Sequence, residues 1–168
     1  MKINLKELAV FSVLGAFMYI SMLVLKPLPN IHILAPLIGA YTLTFRQKAF
    51  YPIAVFVFLT GLFDGFSMWW IPYLYVWFIL WAVFLALPRF ENRVVATLVY
   101  MLTGALHGLL FGVLYAPWQM IWLGLDREEI IAWIIAGLPF DVTHAIGNFL
   151  GSILILPLHK ALKVALRQ

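Results

Sequence analysis

The chain has 168 residues, of which 65% are hydrophobic and 11% charged, with a net charge of +4 and no cysteine. Soluble domains carry about 25% charged residues, so a water-soluble fold is excluded, and the missing cysteine removes disulfides, thiolate chemistry and cysteine metal sites. The eleven Lys and Arg residues are dispersed along the chain, which argues against nucleic acid as a partner and for contact with the lipid bilayer. About twenty apolar residues cross a bilayer as a helix, and six runs approach that length: 8–25, 31–45, 49–66, 70–87, 94–116 and 138–158. The expected fold is therefore one domain, an all-α integral membrane protein with six transmembrane helices. The first run follows Lys2 and Lys6 with no small-x-small cleavage pattern, so it reads as a retained helix. The alternation of apolar and polar residues that a transmembrane barrel needs is missing.

Turn residues punctuate the runs. Lys26-Pro27-Leu28-Pro29-Asn30 reads as a loop, with Asn30 in position to cap the second helix. Pro36 is expected to bend that helix. Phe45–Lys48 reads as a tight turn, and Pro52 and Pro72 sit near helix starts. Pro88 is expected to end the fourth helix and Pro117 the fifth. The stretch 118–137 is the longest connection; a short interfacial helix is expected over 130–136, with Pro139 opening the sixth span. Placing the N-terminus inside puts Lys2, Lys6, Arg46, Lys48, Arg89, Arg93, Lys160, Lys163 and Arg167 on one side, and Lys26 and Arg127 on the other. This is the positive-inside pattern, and it predicts both termini in the cytoplasm.

Aromatic residues cluster toward the outer half: Trp69, Trp70, Tyr73, Tyr75, Tyr115, Trp118, Trp122 and Trp133. One reading is an interfacial belt. The other is a pocket that stacks on a flat ligand, which the one-sidedness favours. Ionisable groups inside spans are costly and mark candidate sites. Asp64 is either a helix-end residue or a site residue. His107 is either a core imidazole bonded to a carbonyl or a site residue. Asp141, His144 and Asn148 share one helical face at i, i+3 and i+7. They read as an interhelical hydrogen-bond cluster or as a ligand-contacting stripe, and the second is preferred. His32 joins this substrate-binding set with Asp64, Trp70, Tyr73, His107, Trp118, Trp122, Asp141, His144 and Asn148. No Glu-x-x-His or His-x-x-x-His pair accompanies Asp141 and His144, so no metal site is expected. Neither a nucleophile elbow nor a phosphate-binding Walker loop is present, so neither an enzyme nor a bound cofactor is expected. Ala9, Ser12 and Ala16, with Gly15 beside them, form a small-residue face for packing inside the protein or for docking a partner.

These features resemble the substrate-binding S components of energy-coupling factor vitamin transporters. Gly137-Leu138-Pro139-Phe140-Asp141 followed by His144 is similar to the Pro-Phe-Asp/Asn start of the family's sixth helix, with Lys or His one turn on. Ser12-x-x-x-Ala16 resembles the family's Ala-x-x-x-Ala signature on the first helix, with Ser replacing the first Ala. The resemblance implies an S-component-like bundle in a bacterial or archaeal cytoplasmic membrane. It implies capture of a small vitamin or vitamin precursor from outside, beneath the first, third and fifth loops. It further implies a transmembrane scaffold subunit, two cytosolic ATPases and toppling of the bundle to release solute. With few buried cations, the residues favour a flat, neutral or weakly cationic heterocycle over a carboxylate-rich ligand. Two rival functions share this topology: a structural multi-span protein of a cell-shape or wall assembly, and a metal-dependent membrane enzyme using Asp141, His144 and His107.

Overall fold

The apolar runs become helices throughout the computed structural model, which describes residues 3–166. Among the described residues there are no strands. In chain order the helices are α1 (Leu5–Leu25), α2 (Leu34–Phe45), α3 (Phe50–Asp64), α4 (Tyr73–Ala86), α5 (Arg93–Leu109), α6 (Phe111–Leu123), α7 (Arg127–Gly151) and α8 (Ile155–Ala165). Among the described residues four segments are long and apolar enough to cross a membrane: Leu5–Leu25, Met68–Ala86, Arg93–Leu123 and Arg127–Ala165. The last two are composite, since α5 joins α6 at Leu110 and α7 joins α8 through a short 3₁₀ turn. Helices α2 and α3 have 12 and 15 residues; at about 1.5 Å per residue, α2 covers only about 18 Å. Lys2 and Arg167, two of the basic residues assigned to the inner side, lie outside the described residues.

Helix α2 is the axis of the bundle. Every residue from Leu34 to Thr42 is buried, as befits a helix that is apolar on all sides. Around it pack Met18 of α1, Ile53 and Phe56 of α3, Trp77, Leu80 and Phe84 of α4 and Ile155 of α8, all fully enclosed. The other helices keep an apolar face outward; Val13, Ile20, Leu98, Leu102, Ile146 and Leu150 are each about half exposed or more. That pattern fits a lipid surround, where outward Leu and Val carry no penalty.

Cross-links define the two ends. At one end Lys48 pairs with Glu7, Arg46 donates to the Leu85 carbonyl at 3.0 Å and Thr44 Oγ1 meets His159 Nδ1 at 2.9 Å. At the other, Lys26 Nζ lies 3.7 Å from Asp64 Oδ1 and the α3–α4 loop is bonded to α6. Helix α1 starts with a capping box, Asn4 with Glu7, and α7 starts with another, Asp126 with Glu129.

Several boundaries differ from the sequence reading, each for a local reason. Asn30 does not cap α2; it sits in a left-handed turn at φ 59, and α2 begins at Leu34 with no side-chain cap. Pro36 lies in the first turn of α2, where its missing N–H is one of the helix's free donors anyway, and the helix continues through it to Phe45. The turn expected at 45–48 is a 3₁₀ helix over Arg46–Ala49. Pro117 lies inside α6 and does not end it, and Pro139 lies inside α7 and does not open it. The separate interfacial helix expected at 130–136 is the first half of α7, continuous with the run that follows. Pro88 does act as a stop: α4 ends at Ala86, and Leu87 turns extended before the ring.

Candidate functional site

Two arrangements bear on function, a seam between α5–α6 and α7, and a cavity at the Lys26–Asp64 end. The seam comes first because it claims most of the polar stripe. Gly104, Gly108 and Gly112 fall at four-residue spacing on one face of α5 and the start of α6. Without side chains they let the α7 backbone press in: a Cβ at Gly108 would lie 2.8 Å from Ala145 N and from His144 C. Small residues permit such close helix approach in a membrane, and polar side chains then bond across it. Asn148 Nδ2 donates to the Gly104 carbonyl at 3.2 Å. The Gly112 N–H donates to both carboxylate oxygens of Asp141, at 3.2 and 3.1 Å.

The Asp141 contact explains the break at Leu110. In an unbroken helix the Gly112 N–H would bond to the carbonyl of Gly108. Asp141 intercepts it, and a side chain inserted into that ladder bends a helix. Leu110 takes φ −91 and ψ 4, outside the helical basin. Asp141 is 5% exposed and Asn148 is 1% exposed. The two ends of the predicted stripe therefore face the α5–α6 backbone. The four-residue spacing of Gly104, Gly108 and Gly112 is the sequence signal for this seam.

His144, between them, looks elsewhere. Its ring meets His32 edge-on at 4.5 Å and Phe111 at 4.8 Å. His107 stands 6.5 Å from His144 and 5.8 Å from Trp77, centroid to centroid. His107 Nε2 donates to the Val76 carbonyl at 3.1 Å. In the neutral imidazole that bond leaves His107 Nδ1 as an acceptor. His107 Nδ1, His144 Nε2 and Trp77 Nε1 are all buried without a hydrogen-bond partner. Such groups cost about 1–3 kcal/mol each when left unpaired. Their concentration around His144 marks a place where a water or a ligand is expected. Among the described residues no group of three or more His, Asp or Glu converges on a metal-sized site.

His32 links this cluster to the cavity. The cavity measures about 450 Å³ and is lined by Met22, Asn30, His32, Thr60, Asp64, Trp69 and Tyr73, with Lys26 and the prolyl loop at its mouth. Of the sequence-derived set, His32, Asp64 and Tyr73 line it. His144 and His107 stand behind His32, while Asp141 and Asn148 belong to the seam. Trp70 donates to the Val57 carbonyl at 2.8 Å. Trp118 donates to the Met68 carbonyl at 2.7 Å, and Trp122 is 47% exposed on α6. Trp69, placed in sequence with the outer aromatics, lines the cavity; Thr60 does too, and its hydroxyl is turned back to the Phe56 carbonyl at 2.8 Å.

The aromatic excess at this end has a second use. Trp70, Trp118 and Tyr115, whose hydroxyl donates to the Trp69 carbonyl at 3.0 Å, pin the 65–72 loop to α3 and α6. The loop that carries Trp69 over the cavity is thereby anchored from two sides. Replacing Trp118 with Phe keeps a ring and removes one donor. It is expected to cost about 1 kcal/mol and to raise amide exchange over residues 66–70, measured by hydrogen–deuterium exchange.

Compared with known protein families, curated proteins and solved structures, the chain matches none.

The small-residue face of α1 divides. Gly15 is buried against α3, where a Cβ would lie 2.5 Å from Val55 Cβ. Ala9 and Ser12 are exposed and Ala16 is half-buried, and Ser12 returns its hydroxyl to the Leu8 carbonyl at 2.9 Å.

Proposed function

We propose that this protein is the solute-capture subunit of a membrane importer of the energy-coupling factor type. In this reading the chain crosses the membrane six times with both termini in the cytoplasm. Helices α2 and α3 serve as two short passes, and the Lys26–Asp64 end faces outward. The observation that carries it is the cavity of about 450 Å³ at that end, walled by Asp64, His32, Trp69 and Tyr73. A binding site of this kind combines aromatic walls with a few fixed polar groups. Supporting it, the unpaired imidazole nitrogen of His144 lies just behind His32.

The lining suits a flat, neutral or weakly cationic heterocycle, a vitamin or its precursor. Trp69 and Tyr73 offer ring faces, Asn30 and His32 offer hydrogen bonds, and Asp64 balances Lys26 at the mouth. A chain without a phosphate-binding loop needs partners to drive uptake. The open Ala9, Ser12 and Ala16 face on α1 is the proposed docking surface for a transmembrane scaffold subunit, which would connect to two cytosolic ATPases. The rival reading as a structural wall-assembly protein gains from the seam, since Asp141 and Asn148 have backbone partners there. It leaves the aromatic cavity without a use.

The test is equilibrium binding of a vitamin panel to the detergent-purified protein, read by tryptophan fluorescence quenching, beside mass spectrometry of any co-purified small molecule. Tight binding of one neutral or weakly cationic heterocycle is expected. Tyr73→Ala and Asp64→Ala should each weaken it at least about tenfold, the loss of roughly 1.4 kcal/mol of contact. No ligand in the panel or the extract, or tight binding of polyanions alone, would overturn the reading.

A further inference from the structure

The Arg46–Lys48 end carries a feature that solute capture does not use. A groove of about 610 Å³ opens there, lined by Phe90, Glu91, Arg93, Ala96, Tyr100, Leu156, Pro157, His159, Lys160 and Lys163. It lies between α5, α8 and the 87–92 loop. Its rim and floor differ in character. Arg93, Lys160 and Lys163 are exposed, and among the described residues none of them is in a salt bridge; the two that occur are Lys26–Asp64 and Lys48–Glu7. Glu91 is the one acid in the lining, so three fixed positive charges face one negative. The floor is mostly apolar, Ala96 buried and Leu156 half-buried, together with the buried ring of Tyr100. Beyond the rim the flanking residues are exposed and apolar: Val94, Val95 and Leu98 on α5, Ile153 and Leu154 just before α8.

We propose that this groove binds the headgroup of an anionic phospholipid, with its acyl chains lying along the exposed apolar faces that flank it. Cations at the edge of a membrane helix bundle attract anionic lipid. Lys and Arg reach a phosphate while their stems cover apolar surface. A soluble phosphate would need the charges but not the floor. The continuity from cationic rim to apolar flank is what selects a lipid. Arg93 is at the first position of α5, so that helix also aims its positive end at the site. His159 is held on the groove wall by Thr44 at 2.9 Å, which keeps α8 and its two lysines in register with α2.

The experiment is native mass spectrometry of the delipidated full chain, re-exposed to an equimolar mixture of phosphatidylglycerol and phosphatidylcholine with matched acyl chains. The expected result is at least a fivefold preference for the phosphatidylglycerol adduct. The preference should be lost in the Lys160→Ala/Lys163→Ala double variant and kept in Lys160→Arg/Lys163→Arg. Arg127→Ala, a cation removed at the opposite end, should leave it unchanged. Equal retention of the two lipids would overturn the assignment, as would a double alanine variant that keeps the preference. Displacement of the lipid by millimolar glycerol phosphate would also overturn it, because the site would then take a water-soluble phosphate ester. If the double alanine variant fails to fold, the single variant Lys160→Gln makes the same comparison.

Discussion

Replacing Gly108 with Ala is expected to destabilise the protein by about 2–3 kcal/mol, near the upper end for over-packing a tight interior. The methyl group would sit 2.8 Å from Ala145 N and 2.8 Å from His144 C, with Ala145 Cα at 2.9 Å. These are backbone atoms, so no rotamer change relieves the contact, and α5 and α7 must move apart. Separation stretches both cross-links on that face, Asn148 to Gly104 and Asp141 to Gly112. Intrinsic propensity pulls the other way, since Ala is favoured over Gly in a helix by about 1 kcal/mol. The clash wins because it is set against rigid backbone. Gly137 supplies the contrast: it lies inside α7, and a Cβ added there would meet nothing within 4 Å. Gly137→Ala should therefore stabilise by up to about 1 kcal/mol. Thermal unfolding in detergent, followed by tryptophan fluorescence, should move the two variants in opposite directions. If Gly108→Ala melts no lower than the parent, the close approach of α5 and α7 is wrong.

How much of this is legible in the sequence depends on the scale of the feature. The helical runs are legible because lipid-facing helices need only be apolar, and composition alone reports that. Helix ends are legible only where the cause is local. Pro88 stops α4 through its own ring. Pro139 carries the same ring but stands inside α7, which runs on past it; Thr143 Oγ1 donates to the Pro139 carbonyl at 3.0 Å. The break at Leu110 is not set by local residues alone: Gly108 and Gly112 flank it, but the Gly112 N–H is taken by the carboxylate of Asp141, 29 residues away. A pattern reading along the chain has no access to such a cause.

The stripe on α7 shows the same limit from another side. Spacing correctly places Asp141, His144 and Asn148 on one face. It cannot say what that face meets: Asp141 and Asn148 meet a row of glycines whose backbone does the bonding, while the His144 ring meets His32 and Phe111. The polar residues of the cavity are found more readily. His32, Asp64 and Tyr73 come from three different segments, the loop before α2, α3 and α4, and share only the property of standing near the same predicted membrane surface. That coarse property suffices, since topology sorts residues by depth before packing sorts them by neighbour.

Removing the Asp141 carboxylate separates the two roles assigned to that residue. Asp141→Ala leaves the Gly112 N–H unpaired in the interior, a loss of about 1–3 kcal/mol. Asp141→Asn keeps one carbonyl acceptor and should lose less. The contact also makes a sign prediction. A methyl group at Gly112 would lie 2.5 Å from Asp141 Oδ2, so Gly112→Ala in the parent is expected to be destabilising. In the Asp141→Ala background the carboxylate is gone and the same methyl enters the vacated space, so Gly112→Ala should become stabilising there. A double-mutant cycle on unfolding temperature isolates this coupling, which for groups in contact runs to about 0.5–3 kcal/mol. Solute binding supplies the second axis. Asp141 reaches the α6 backbone and not the cavity wall, so Asp141→Ala should bind solute with the parent's affinity at any temperature where both are folded. A folded Asp141→Ala protein that binds tenfold more weakly, with no reversal of sign at Gly112, would return Asp141 from the seam to the solute.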